Sequence, residues 1–136
     1  MPRILVVDDD ASIRTTIEHV LRRAGYDAIA APCGQTGLEA VEAFAFDLVI
    51  VDMLMPGIDG LQTIEALSRS APDVPIIAMS GFFFDRSLGP APDLLGLATT
   101  MGVNYCLHKP FRNEELLAAV SGCLEAARAH RQLRAG

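Results

Sequence analysis

Two stretches of this 136-residue chain hold only aliphatic side chains for four residues and then meet an aspartate. They are Ile4-Leu5-Val6-Val7 before Asp8 and Leu48-Val49-Ile50-Val51 before Asp52. Runs this short, this rich in β-branched residues and apolar at every position suit strands buried on both faces, as inside a parallel sheet. Parallel neighbours need a crossover connection, ordinarily a helix. Between the two runs, Ile13, Ile17, Val20 and Leu21 recur at helical spacing, with Ser12 placed to cap the segment and Gly25 to end it.

The alternation continues along the chain. Ala28 to Ala31 reads as a weak strand, and Thr36 to Phe44 as a helix with Leu38, Val41 and Phe44 inward. After the second strong run, Pro56-Gly57 and Asp59-Gly60 mark a loop, and Leu61, Ile64 and Leu67 form a short amphipathic helix. Val74 to Met79 is a third strong strand, ending at Ser80. A Pro/Gly-rich stretch from Gly81 to Pro92 precedes a helix over Leu94 to Met101. Val103 to Leu107 is a strand. A final helix from Asn113 to about Arg128 places Leu116, Leu117, Val120 and Leu124 on one face. A βα unit repeated five times predicts an α/β fold: a doubly wound, five-stranded parallel sheet with helices on both faces.

Composition narrows the function. Apolar residues make up 51% of the chain, enough for one core, and the net charge of −6 leaves no basic face for nucleic acid. Cys33, Cys106 and Cys123 are odd in number and lack CxxC spacing, so they read as reduced, mostly buried thiols of a cytoplasmic protein. The run before Asp8 reads as a strand and not as a signal peptide, and no apolar stretch approaches a membrane span.

In open parallel sheets, ligands bind beyond the carboxyl ends of the strands, where the strand order reverses. The residues just past the strands are Asp8 and Asp9, then Asp52, Ser80, and Lys109 before Pro110. On one rim they would form a site of carboxylates, a hydroxyl and an ammonium. Clustered carboxylates repel unless a cation neutralises them, and a hard ion with oxygen ligands, Mg²⁺, suits that role. A carboxylate can then act as nucleophile toward a phosphoryl group, forming an aspartyl phosphate, with metal, Lys109 and Ser80 neutralising its oxygens. Taken singly, each residue has an ordinary explanation: an aspartate after a strand is a turn former or cap, which is the reading for Asp10, and a lone serine or lysine is a solvated surface group. The coincidence of four strand ends favours a site.

Four blocks, "ILVVDDDASIR", "DLVIVDMLMPGIDGLQTIEAL", "VPIIAMSG" and "LHKPF", resemble the signature blocks of response-regulator receiver domains, from about Arg3 to about Leu124. The resemblance implies a flavodoxin-like strand order 2-1-3-4-5. It implies an acidic pair Asp8 and Asp9, with Asp9 a direct metal ligand, and Asp52 as phosphoacceptor and metal ligand. It also implies a third protein ligand in the Leu54 backbone carbonyl, Ser80 as switch hydroxyl, Lys109 as ion-pairing lysine, and a cis Lys109–Pro110 bond. The implied function is a signalling switch, not an enzyme beyond its own phosphorylation and dephosphorylation. Its partners would be a histidine kinase or phosphotransfer protein and a downstream protein, with no direct contact to nucleic acid or membrane. Residues 1–127 would be the receiver domain and 128–136 a short basic tail or truncated linker.

The chain departs from the family pattern in three places. The Ser80–Lys109 interval is longer than usual, the extra length lying in Gly81 to Pro92. Cys106 stands at a strand position that is usually aromatic. Arg128 to Gly136 are expected to be too few to form an output domain. The positions flanking the approach of a hydrolytic water, Leu54 and Phe82, cannot orient one, which implies a long-lived phosphorylated state. Two other functions stay open: a phosphatase of the haloacid dehalogenase type with Asp8 as nucleophile, and a phosphate-independent adaptor of receiver fold.

Overall fold

The computed structural model describes residues 1–53, 60–80 and 102–135. The loop expected around Pro56-Gly57, the Gly81 to Pro92 stretch, the helix expected over Leu94 to Met101, and Leu54 and Phe82 lie outside them. The described chain runs β1 (Arg3–Val7), α1 (Ala11–Arg23), β2 (Asp27–Ala31), α2 (Gly34–Ala43), β3 (Leu48–Asp52), α3 (Gly60–Ser70), β4 (Ile76–Ser80), β5 (Tyr105–His108) and α4 (Asn113–Ala135). The five strands are all parallel and lie in the order β2-β1-β3-β4-β5. The order expected for the sheet is the order found.

The aliphatic runs behave as their composition demands. Every residue of β3 is buried, as are Ile4 to Val7 of β1 and Ile76 to Met79 of β4. Because side chains alternate across a strand, each run feeds two cores. Leu5, Val7, Val49, Val51 and Ala78 meet Ile64 and Leu67 of α3, with Leu38 and Val41 of α2 against them. Ile4, Val6, Leu48, Ile50, Ile77 and Met79 meet Ile17 and Leu21 of α1 and Leu116, Ala119 and Val120 of α4. Helices α2 and α3 thus cover one face and α1 and α4 the other. Full burial of each aliphatic side chain is worth about 1.5–3 kcal/mol. The edge strands β2 and β5 mix buried and accessible positions.

Local details correct several expectations. Helix α1 is capped by Asp10, not Ser12: the Asp10 carboxylate accepts from the amides of Ser12 and Ile13, and the Ser12 hydroxyl donates to it as well. Those three donors hold the exposed Asp10 carboxyl below its ordinary range. Phe44 does not point into the core. It stands at the end of α2 in extended backbone and is 54% exposed, with the Arg3 guanidinium 5.8 Å from its ring centre. The three cysteines are free, and each is half-buried rather than buried. The final helix does not stop near Arg128 but continues to Ala135, with Arg128 to Leu133 exposed. Its first turn carries Glu114 and Glu115, which complement the helix dipole.

Gly60 reads from sequence as a loop residue, yet it is the buried first residue of α3. A Cβ there would lie 2.4 Å from the Met53 Cα and 2.6 Å from the Asp52 carbonyl oxygen. The helix start presses on the end of β3 so closely that only glycine fits.

Candidate functional site

The chain passes from β1 outward to β2 and then returns to place β3 on the other side of β1. The strand order reverses between the carboxyl ends of β1 and β3, where Asp8, Asp9 and Asp52 stand. Register fixes their relation: Val7 pairs with Val51, so Asp8 and Asp52 follow side by side. Each of the three aspartates offers a carboxylate oxygen, and these oxygens lie within 4.8 Å of one another.

Lys109 joins them from β5, two strands away from β3. The backbone ladder extends past the strand ends, with the Lys109 amide donating to the Ser80 carbonyl at 2.7 Å and the Met53 amide to the Met79 carbonyl at 2.8 Å. The Lys109–Pro110 bond is cis. The Lys109 Nζ donates to Asp8 Oδ2 at 2.8 Å and stands 3.3 Å from Asp52 Oδ2. Asp8 is fully buried, Asp52 is 4% exposed, and the Lys109 side chain is 17% exposed. Burial alone would push the ammonium pKa down. The Asp8 hydrogen bond and the charges of Asp52 and Asp8 outweigh it and hold Lys109 above its ordinary value. Lysine therefore stays charged throughout the neutral range.

The remaining contacts divide the roles of the acidic residues. Asp8 Oδ1 accepts from the Asp10 amide at 2.9 Å, and its other oxygen is held by Lys109. With both oxygens engaged and no exposure, Asp8 makes a poor nucleophile, which counts against the phosphatase alternative. Asp9 is exposed, and its carboxylate oxygen is open to a metal from the solvent side. Hard oxygen donors from three carboxylates within one ion's reach match the donor set of Mg²⁺, so the residues fit that ion. Asp10 has turned away to cap α1.

Ser80 ends β4, one residue past the Met79 that pairs with Asp52. Its Oγ lies 3.5 Å from His108 Nδ1. Asp8, Asp9, Asp52 and Lys109 are thus brought directly together, and Ser80 stands on the neighbouring strand end. Two residues escaped the sequence reading. Arg14 donates from Nη1 to the Asp8 carbonyl at 2.8 Å and so pins the acidic turn to α1. Its place one turn into the helix after the aspartates was a usable signal. His108 needed the β4–β5 register, which no local pattern contains.

Comparison with known proteins agrees with this geometry. The sequence model of the response regulator receiver domain matches residues 4–121. The transcriptional activator protein PfeR of Pseudomonas aeruginosa is 36% identical over 130 residues, which is 96% of this chain and 40% of that protein. The alkaline phosphatase synthesis transcriptional regulatory protein PhoP of Bacillus subtilis is 32% identical over 124 residues, 90% of this chain and 48% of that protein. The chain therefore spans half or less of the length of these curated relatives. Among solved structures, the Vibrio cholerae chemotaxis protein CheY4 superposes with a TM-score of 0.79 at 28% identity, covering 90% of this chain and 98% of that one. Family match, strand order and the acidic rim at the reversal point agree, and the chain belongs to the response regulator receiver domain family.

Proposed function

We infer that this chain is a phosphorylation-activated switch of a two-component system, with Asp52 as the residue that takes the phosphoryl group. The observation that carries the reading is the Lys109 ammonium seated between Asp8 and Asp52, 2.8 and 3.3 Å from their oxygens, beside the exposed Asp9. A histidine kinase or phosphotransfer protein would present a phosphohistidine at this rim. An Asp52 carboxylate oxygen attacks phosphorus, the O–P bond forms as the P–N bond breaks, and the imidazole leaves with the electron pair. Lys109 neutralises negative charge on the phosphoryl oxygens, and Ser80 donates its hydroxyl proton to one of them. Asp8, Asp9, Asp52 and the Leu54 carbonyl would hold Mg²⁺, which when bound offsets the charge of the transferring group. Asp8 keeps Lys109 and the acidic turn in place through its two engaged oxygens.

The same reading assigns residues 1–127 to the receiver unit, puts the chain in the cytoplasm and gives it a downstream protein partner. It assigns no direct contact with nucleic acid, in keeping with the net charge of −6. Among the described residues, no helix is long and apolar enough to cross a membrane.

The test is incubation with acetyl phosphate and Mg²⁺ followed by intact mass. The chain should gain one phosphoryl group, and Asp52→Asn should gain none. Full labelling of Asp52→Asn would place the nucleophile elsewhere.

A further inference from the structure

Ser80 and His108 are register partners across the β4–β5 ladder. Such partners carry their side chains on the same face of the sheet, and here Ser80 Oγ comes within 3.5 Å of His108 Nδ1. The hydroxyl is half-buried and the imidazole exposed, on the strand that ends the sheet. Cys106, two residues earlier on the same face, packs against the α2–α3 core and has no ring or long polar arm to follow the hydroxyl outward. Among the described residues, His108 is the exposed side chain that the Ser80 hydroxyl meets.

We propose that His108 is a positioning residue that holds the Ser80 hydroxyl in the unphosphorylated chain and releases it when Asp52 carries a phosphoryl group. This rests on the phosphorylation reading above. The hydroxyl has one proton to donate. In the resting chain it goes to His108 Nδ1, with the imidazole proton on Nε2. At 3.5 Å this contact is far longer than the roughly 2.7–2.8 Å usual for a hydroxyl donor, so it is a weak neutral bond. A phosphoryl oxygen is a charged acceptor, and charge-assisted bonds are roughly twice as strong as neutral ones. The hydroxyl turns to the phosphoryl oxygen and Nδ1 loses its donor. No covalent bond changes in this exchange. It leaves the Nδ1 lone pair of the exposed His108 imidazole open to another N–H or O–H, so the chemical state of Asp52 is passed to β5.

The experiment uses the whole chain with ¹⁵N-labelled histidine, whose three residues are His19, His108 and His130. Imidazole nitrogen resonances are recorded before and after acetyl phosphate and Mg²⁺, with intact mass in parallel. The His108 Nδ1 resonance should move on phosphorylation while Nε2 stays put. In unphosphorylated Ser80→Ala, Nδ1 should already sit at the released position. His108→Ala should accelerate labelling roughly threefold, the effect of removing one weak neutral hydrogen bond. His108→Asn, whose amide oxygen can stand where Nδ1 does, should return it to the wild-type rate. A chain that gains the phosphoryl mass with Nδ1 unmoved overturns the proposal, as does wild-type labelling by His108→Ala. No mass gain at all would overturn the phosphorylation reading and this proposal with it.

Discussion

The Lys109 ammonium reaches across 101 residues of sequence to donate to the fully buried Asp8 carboxylate at 2.8 Å. Breaking such a pair from one side leaves an uncompensated buried charge, at a cost of roughly 3–5 kcal/mol. Lys109→Met should lose about that much stability in metal-free denaturant unfolding and recover part of it in Mg²⁺. An unchanged midpoint would mean that the pair contributes nothing. The pH dependence has a definite sign. The pKa of Lys109 is raised above 10.5 in the folded chain. Its contribution is therefore complete below that value and is lost as pH climbs through the raised one. Wild type should lose stability above about pH 10.5 more steeply than Lys109→Met.

Asp9 and Asp10 are neighbours with different duties. Asp9→Ala should weaken Mg²⁺ binding strongly, measured by calorimetric titration. Asp10→Ala should leave it nearly intact while costing about 1 kcal/mol of stability, the usual value of a helix N-cap. Equal loss of Mg²⁺ affinity in both variants would refute the division.

Gly60 lies where any side chain would meet the backbone of Asp52 and Met53. Gly60→Ala should cost roughly 1–3 kcal/mol through forced displacement of packed backbone. It should also slow labelling by acetyl phosphate, because the displaced backbone belongs to Met53 and to Asp52, the proposed phosphoacceptor. Thermal unfolding and the acetyl phosphate time course check the two effects separately. A stable variant that labels at the wild-type rate would show that the β3 end yields freely.

The thiols should react in a definite order. The Thr36 hydroxyl lies 3.2 Å from the Cys33 Sγ, and with the Thr36 and Gln35 amides it pulls the Cys33 thiol below its ordinary pKa. Burial pushes the Cys123 thiol up. At mildly alkaline pH, iodoacetamide should modify Cys33 before Cys123, read by peptide mass, and Thr36→Val should slow Cys33. Faster modification of Cys123 would contradict the assignment.

Much of this architecture was legible before any coordinates. Buried parallel strands announce themselves because both faces must be apolar, so Ile4 to Val7 and Leu48 to Val51 admit little else. Asp8, Asp9, Asp52 and Lys109 could be placed together because strand ends in a parallel sheet share a rim. What escaped depended on contacts between distant segments. The outward turn of Phe44 follows from extended backbone at the end of α2, which helical periodicity does not foresee. Asp10 was legible as a turn former or cap, whereas Ser12 lost that role because one carboxylate reaches two free amides and a hydroxyl. Gly60 looks like a turn residue until β3 and α3 are seen to touch. His108 gains meaning only from its register with Ser80.

The three carboxylates and one ammonium at the rim leave two units of negative charge unbalanced. One divalent cation would bring that sum to zero. Converting the Asp52 carboxylate to a dianionic acyl phosphate would then restore a single negative unit on the outermost oxygens. On the proposed reading, phosphorylation of Asp52 would therefore register as one added negative charge on a rim that the cation had made neutral.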